Sequence, residues 1–236
     1  MNSKLYLVPN ILSDSVIEYV IPEGVIKIIH SLDHFIVENT RSARRFIIKT
    51  GYPGKIDDIK FFELNKHTKS EEINQYLDPC RNGINMGVLS EAGVPSVADP
   101  GAVIVEIAQN AGIEVVPLTG PSSILLALMA SGLNGQSFSF VGYLPVPVNE
   151  LTLKIKELET RSIRDKQSQI FIETPYRNIR LFKELIKVCK PSTSLCIAVN
   201  ITGPDEKIYT KNIREWQRTE PDLDKKPAVF IIQAQL

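Results

Sequence analysis

The chain has 236 residues, of which 43% are hydrophobic, and its 27 lysines and arginines are balanced by 27 aspartates and glutamates. This length accommodates one large domain or two smaller ones, and the charge balance excludes a protein-wide field that attracts nucleic acid or anionic membranes. Three cysteines without a C-x-x-C pair indicate unpaired thiols in a reducing cytoplasm. The first apolar run is too short for a signal peptide, and none has transmembrane length. We therefore expect a cytoplasmic protein that does not enter a membrane.

The first half of the chain alternates apolar runs with helical patterns. The predicted strands span residues 4–8, 35–38, 58–64, 85–89 and 114–118, and the predicted helices span residues 40–50, 69–81, 102–111 and 122–131. Such alternation is typical of a mostly parallel sheet with helices on both faces.

In the second half, strands follow one another with fewer helices between them. The predicted strands span residues 138–144, 169–173, 194–200, 205–209 and 228–233, and the predicted helices span residues 149–162, with Asn149 as N-cap, and 177–188. This order predicts a mixed sheet. We place the domain boundary near residues 119–122, so that the predicted domains are 1–120 and 121–236.

Two loops rich in glycine and proline, residues 88–101 (VLSEAGVPSVADPG) and 119–124 (TGPSSI), each join a predicted strand to a predicted helix. Gly93, Gly101 and Gly120 remove side-chain bulk, and the prolines stiffen the loops. In open α/β sheets, ligands bind outside the carboxyl ends of the strands. One such loop alone is most simply an ordinary turn, whereas two in series favour a ligand site.

Common cofactor and catalytic motifs are missing from the sequence. The segment after the first strand, VPNILSD, has no glycine, which argues against a dinucleotide fingerprint, and there is no P-loop or G-x-S-x-G motif. His30 and His34 have the i, i+4 spacing of a helical metal site but no third ligand, so we predict a solvated helix end and no metal.

Several motifs together closely resemble those of the tetrapyrrole methylase superfamily, and the similarity covers most of the chain. They are SEAGVPSVADPG at 90–101, PLTGPSSI at 117–124, FSFVGYLP at 138–145, LYLVP at 5–9, ENTR at 38–41, ETPYR at 173–177 and PDEKI at 204–208. Within the superfamily, they are most similar to the methyltransferases that modify a cytidine 2′-hydroxyl of small-subunit ribosomal RNA.

The resemblance implies two α/β domains, usually in a homodimer, with S-adenosylmethionine bound as co-substrate in a cleft between them. Matched by position, the residues implied to contact this methyl donor are Glu91, Val94, Ser123, Ile124, Thr174, Ile201 and Ala228.

Methylation of a hydroxyl also needs a proton acceptor and a surface for the acceptor molecule. Glu38, Glu91 and Glu173 stand at predicted strand ends, but each is equally suited to a structural role, so we assign no base. For the acceptor we predict Arg41 and Arg44, which share one helix face with Arg45, and Arg177. A solvated basic face explains these arginines equally well.

The sequence departs from the family pattern in four places. The first loop lacks the family's glycine, Glu91 stands where relatives have aspartate, Asn39 replaces a second aspartate, and the RNA-modifying relatives carry a further C-terminal helical module. We therefore predict a methyltransferase acting on ribosomal RNA and leave two alternatives open. These are a methylase of a tetrapyrrole or other small molecule, and a non-catalytic protein that binds S-adenosylmethionine.

Overall fold

The computed structural model describes residues 3–65 and 68–234. The chain divides into two compact units, Met1–Ser122 and Ser123–Leu236. Sequence analysis placed this division after residue 120.

Unit 1 is built on a five-stranded sheet in which every neighbouring pair of strands is parallel. The spatial order of the strands is β3-β2-β4-β1-β5. The strands are β1 (Lys4–Val8), β2 (His34–Val37), β3 (Lys60–Glu63), β4 (Met86–Leu89) and β5 (Glu114–Pro117). The helices are α1 (Ile17–Val20), α2 (Glu23–His30), α3 (Thr40–Lys49), α4 (Ser70–Ile73), α5 (Asp78–Arg81) and α6 (Gly101–Asn110). The predicted parallel sheet is confirmed.

Hydrophobic clusters on both faces of this sheet explain why its central strands are continuous apolar runs. Every residue of β2 and β4 is buried, as expected of strands covered on both faces. Gly87 in β4 provides space for a neighbour, because a Cβ atom there would lie 2.7 Å from the Phe35 ring. The sheet is therefore stabilised by packing on both of its faces.

Three local predictions for unit 1 were incomplete or wrong. Helices α1 and α2 were not predicted, although Val25 and Ile29 bury one side of α2 at i, i+4 spacing. His34 lies in buried strand β2 and not at a solvated helix end, because its apolar neighbours Phe35 and Ile36 continue the strand. Residues 69–81 are two short helices joined by a 3₁₀ turn.

Unit 2 contains a five-stranded mixed sheet of order β6-β7-β10-β8-β9. Strands β6 and β7 are parallel, and all other neighbouring pairs are antiparallel, which confirms the prediction. The strands are β6 (Phe138–Tyr143), β7 (Ser168–Glu173), β8 (Ser194–Val199), β9 (Lys207–Asn212) and β10 (Ala228–Gln233). The helices are α7 (Ser123–Ser131), α8 (Val148–Asp165), α9 (Asn178–Val188) and α10 (Ile213–Trp216).

The helix boundaries of unit 2 differ from the prediction at two points. Asn149 is not an N-cap, because α8 begins one residue earlier, after Pro147, whose extended backbone precedes the first turn. The polar segment after β9 forms α10, which starts with a capping box between Asn212 and Glu215. Trp216 of α10 anchors this helix by donating its indole N–H to the Leu195 carbonyl at 2.8 Å.

Within the described ranges, no helix combines the length and the apolar character that crossing a bilayer requires.

Candidate functional site

Three loops of unit 1 leave the carboxyl ends of the neighbouring strands β4, β1 and β5 and meet at that end of the sheet. They follow β1 (the β1 loop, residues 9–15), β4 (the β4 loop, residues 90–100) and β5 (the β5 loop, residues 118–122). Asn10 and Gly93 join the first two loops through reciprocal backbone hydrogen bonds of 2.8 and 3.2 Å. The buried Asn10 side chain donates to the Ser90 and Glu91 carbonyls, both at 3.0 Å. The β1 loop therefore holds the β4 loop in place.

The glycines of the β4 and β5 loops allow these close approaches. A Cβ atom on Gly120 would lie 2.1 and 2.4 Å from Pro9 ring atoms, so only glycine fits against the β1 loop. Gly93 has a φ of +71°, a conformation that glycine adopts without strain. The expectation that Gly93 and Gly120 remove bulk is thus explained by loop–loop contact.

The rest of the β4 loop is held by hydrogen bonds from backbone amides to the carboxylate of Asp99. Asp99 accepts hydrogen bonds from the Ser96 amide at 2.9 Å and from the Gly101 amide at 2.7 Å. Ser96 and Ala98 adopt positive φ values of 68° and 62°, which are strained for residues with a side chain. Burial raises the pKa of Asp99, although the hydrogen bonds from Gly101 and Ser96 oppose this shift. The loop is therefore rigid, which suits a preformed binding surface.

Two further carboxylates lie at this end of the sheet, and one of them, Glu91, belongs to the β4 loop itself. Glu38, which directly follows β2, accepts a hydrogen bond from the Glu91 amide at 3.2 Å, while the Glu91 carboxylate accepts one from Ser42 at 3.1 Å. Burial raises the pKa of Glu38, and the nearby charges of Asp99 and Glu91 add to the rise, whereas the Glu91 amide opposes it. Val94, the second donor residue predicted for unit 1, follows Gly93 and is half-buried.

Glu38 and Asp99 line a small pocket at this end of the sheet, together with Ser90 and Gly101. Its volume is about 10 Å³, which is room for one water-sized group, whereas small-molecule pockets usually measure at least about 300 Å³. This pocket alone is therefore too small for a nucleoside-sized donor.

In unit 2, three of the predicted donor residues lie at one edge of the sheet. Ala228 opens β10, and its register partners are Glu173 at the end of β7 and Val199 at the end of β8. Thr174 directly follows Glu173, and buried Ile201 comes two residues after Val199. Motifs that are far apart in the sequence thus converge on three adjacent strands, a relation that no local pattern could indicate.

The turn that carries Ile201 is tightly wound. Asn200 and Thr202 on either side of Ile201 have positive φ values of 48° and 67°. The Asn200 amide donates to the Pro227 carbonyl at 3.1 Å, which joins this turn to the start of β10. Ser123 and Ile124 are the first two residues of α7, a helix that packs against β8, β9 and β10.

The three arginines of the predicted basic face of α3 have different surroundings. The Arg44 guanidinium forms an ion pair with Asp57, so it is engaged within unit 1, whereas Arg41 and Arg45 are exposed. Asn39 caps the helix by accepting hydrogen bonds from the amides of Arg41 and Ser42 at 2.9 and 3.1 Å. The asparagine thereby performs the capping role that an aspartate would perform at the same position.

Arg177 lies beside a pocket of unit 2. Its Nη2 contacts the Glu173 Oε1 at 2.6 Å, and the Glu173 side chain is only 7% exposed. The Arg177 Nε is buried without a hydrogen-bond partner among the described residues. Arg180 lines the same pocket, an arrangement that sequence analysis missed although the two arginines are three residues apart.

The two histidines of the i, i+4 pair lie in different elements. His30 Nε2 is 3.0 Å from the Thr50 carbonyl oxygen, and His34 Nδ1 is 2.6 Å from Asp33 Oδ1. Residues 3–65 and 68–234 contain no group of three or more histidine, cysteine, aspartate or glutamate side chains placed to hold a metal.

Comparison with known proteins identifies the family. Residues 21–217 match the model of the tetrapyrrole (corrin/porphyrin) methylases. The chain belongs to this family. It is an S-adenosylmethionine-dependent methyltransferase, and the predicted co-substrate and enzyme class are confirmed.

Curated relatives and solved structures of this methylase family extend over nearly the whole chain. Ribosomal RNA small subunit methyltransferase I of Vibrio cholerae is 27% identical over 90% of the chain and 72% of its own length. The enzyme of the same name from Escherichia coli O157:H7 is 25% identical over 98% of the chain and 77% of its own length. The methyltransferase CobJ shares the fold, with a TM-score of 0.65 at 16% identity over 98% of the chain and 93% of its own. A Thermus thermophilus uroporphyrin-III C-methyltransferase complexed with S-adenosyl homocysteine has a TM-score of 0.58 at 17% identity, covering 98% of the chain and 97% of its own.

Proposed function

We propose that this methyltransferase transfers the methyl group of S-adenosylmethionine to small-subunit ribosomal RNA, at the 2′-hydroxyl of a cytidine. The observation that carries the proposal is the similarity, along 90% and 98% of the chain, to two enzymes named ribosomal RNA small subunit methyltransferase I. Neither alternative, a small-molecule methylase or a non-catalytic donor-binding protein, is favoured by these relatives. The CobJ and uroporphyrin methyltransferases, at 16–17% identity, support the fold alone.

The rigid loops of unit 1 and the strand ends of unit 2 suit a reaction in which the methyl donor is already chemically activated. Methyl transfer from a sulfonium is an in-line displacement, so the protein chiefly has to align the nucleophile, the methyl carbon and the sulfur. The β4 loop, fixed by Asn10 and Asp99, provides a rigid surface for part of the donor. Thr174, Ile201 and Ala228 provide a second surface on the sheet edge of unit 2.

Of the three candidate carboxylates, Glu38 best fits the proton acceptor in this proposal. Burial raises its pKa toward the working pH, which is the direction that improves a general base. Glu173 is less suitable, because it already accepts hydrogen bonds from Arg177 and from the Thr174 amide, both at 2.6 Å. Glu91 is exposed to solvent and accepts a hydrogen bond from Ser42.

The location and assembly of the enzyme also belong to this proposal. A cytoplasmic protein fits both a ribosomal RNA substrate and the three buried, unpaired cysteines. A homodimer, the usual state implied by the family resemblance, would give a partner surface to Met129, an α7 residue that is 77% exposed. Sedimentation velocity of the purified chain tests the dimer.

The acceptor is tested with purified chain, S-adenosylmethionine and small ribosomal subunits from a strain that lacks the modification. Mass spectrometry of the digested RNA should show new 2′-O-methylcytidine. Uroporphyrinogen III serves as the competing acceptor. Methylation of that tetrapyrrole without a change in the RNA would overturn the proposed acceptor, and calorimetry with S-adenosyl homocysteine separately measures donor binding.

A further inference from the structure

Helix α9 and its two ends form the most one-sided concentration of charge in unit 2. Residues 176–190 contain one glutamate and five cationic side chains, namely Arg177, Arg180, Lys183, Lys187 and Lys190. We call these five residues the α9 basic surface. By contrast, the longer helix α8 balances four cations with four carboxylates. In a chain with no formal net charge, such a local surface is what polyanion binding requires.

The α9 basic surface is held in one orientation by the opposite side of the helix. Leu181, Phe182 and Leu185 are buried in the hydrophobic core of unit 2. Arg180, Lys183 and Lys187 stand at i, i+3 and i+7, so they lie along one exposed face. Three of the five cations of the surface therefore form a row along the exposed side of the helix.

The carboxylates near Lys183 and Lys187 leave most of the charge of these lysines available, whereas Arg177 is held in an ion pair with Glu173. Lys183 lies 4.0 Å from Glu220, and Lys187 lies 3.7 Å from Glu184, and both lysine side chains are about 70% exposed. Ion pairs of this kind contribute little and exchange readily for other anions. The Arg180 Nη2 donates to the Val146 carbonyl at 2.7 Å, a contact that orients the guanidinium without neutralising it.

An exposed aromatic ring stands at the start of the row. Tyr176 is 81% exposed, although tyrosine rings usually bury much of their surface. It adjoins Arg177, whose guanidinium is positioned by the nearly buried Glu173. An aromatic ring followed by a line of cations is the arrangement with which proteins stack an unpaired base and track its phosphates.

We propose that the α9 basic surface and Tyr176 bind a single-stranded segment of the RNA acceptor. The cations contact successive phosphates, and the tyrosine ring stacks on a base. Thr174, the predicted donor residue at the end of β7, is two residues from Tyr176, so the bound strand would begin beside the donor surface of unit 2. This inference rests on the proposed RNA acceptor and names the part of the chain that recognises it.

The test is fluorescence anisotropy of a labelled oligocytidine with the full chain over a series of salt concentrations. The variant Arg180→Gln/Lys183→Gln/Lys187→Gln should bind at least tenfold more weakly at low salt. The slope of log affinity against log salt should fall by about 2, since each lost phosphate contact on a single strand contributes about 0.7. The matched control is Lys156→Gln/Arg161→Gln/Arg164→Gln on α8, which removes the same charge and should change the slope little.

Tyrosine variants separate stacking from charge. Tyr176→Ala should weaken binding on the order of tenfold with an unchanged salt slope, and Tyr176→Phe should bind like the original chain. Equal slopes for the α9 and α8 variants would overturn the inference, as would binding to phosphatidylserine vesicles in place of RNA. If binding depends on α9 but ribosomal RNA is not methylated, only the proposed acceptor fails. If ribosomal RNA is methylated and the α9 variant binds normally, only the present inference fails.

Discussion

Asn10 and Gly93 exchange backbone hydrogen bonds across two loops, and the Asn10 amide group also donates to the carbonyls of Ser90 and Glu91. The β1 loop contains no glycine, and it supports the β4 loop directly.

Asn10→Asp should disrupt the β4 loop, because a carboxylate would face two carbonyl oxygens and lose two hydrogen bonds. We expect a loss of about 1–3 kcal/mol in the free energy of unfolding and faster amide hydrogen exchange across residues 88–101. The matched control is Asn85→Asp, because exposed Asn85 acts there only as an acceptor for the Lys4 amide. Equal stability of the two variants would contradict the assigned role.

Gly120→Ala should destabilise unit 1, since its Cβ atom would lie 2.1 Å from the Pro9 ring. Overpacking of this kind costs about 1–3 kcal/mol. Gly135→Ala is the control, because no atom lies within 4 Å of the added Cβ. It measures the effect of replacing glycine by alanine where there is no steric contact. Urea denaturation followed by circular dichroism should show a lower free energy of unfolding for Gly120→Ala than for Gly135→Ala. A Gly120→Ala protein with unchanged stability and unchanged donor affinity would contradict the close contact between the loops.

Asn39→Ala should cost about 1 kcal/mol, because the amides of Arg41 and Ser42 would lose their cap. Asn39→Asp should have a stability close to that of the original chain, since a carboxylate caps a helix equally well. Thermal unfolding of the three proteins checks this order. A stability of the alanine variant equal to that of the aspartate variant would show that the cap contributes nothing.

The raised pKa of Glu38 predicts a specific pH dependence of stability. In the unfolded chain, the pKa of this carboxyl has the ordinary value of about 4.5, and burial in the folded chain raises it. The protonated carboxyl therefore stabilises the folded state fully at a pH below the ordinary pKa. This stabilisation is lost as the pH rises through the raised pKa of the folded state. Glu38→Gln should remove this decline.

Denaturation at pH 4 and at pH 7 tests the prediction for Glu38. The stability of Glu38→Gln relative to the original chain should increase between the two values. The control is Glu63→Gln, because the Thr40 amide lowers the pKa of Glu63, so the sign of its effect is reversed. The same sign for both variants would exclude burial as the cause of the Glu38 shift.

Local patterns were sufficient to predict most strands and the character of both sheets. The apolar run at residues 4–8 predicts a strand, and the structure has strand β1 there. The end of the glycine- and proline-rich segment at Gly101 predicts the start of a helix, and α6 begins at that residue. Motif similarity extended this to the family, because the spacing of several motifs was retained, while the donor residues stay a prediction.

Contacts between distant residues were not predictable from those patterns. Nothing near Asn10 in the sequence indicates that its side chain binds two carbonyls beyond β4, and nothing near Arg44 indicates its pairing with Asp57. Similarly, Thr174, Ile201 and Ala228 share an edge only because antiparallel register brings Ala228 opposite Glu173 and Val199. Such relations depend on the order of strands, which a periodic pattern does not contain.

The central position of β1 has a consequence for synthesis of the chain. This first strand lies between β4 and β5, so neither of its neighbours exists when it leaves the ribosome. The apolar strand β1 remains unpaired until β4 has emerged, and it lacks its second neighbour until residues up to Pro117 have been made. Exposed apolar strands of this kind are prone to aggregate before they pair. A nascent chain that stops before β5 therefore has an incomplete sheet and lacks the contact between Pro9 and Gly120.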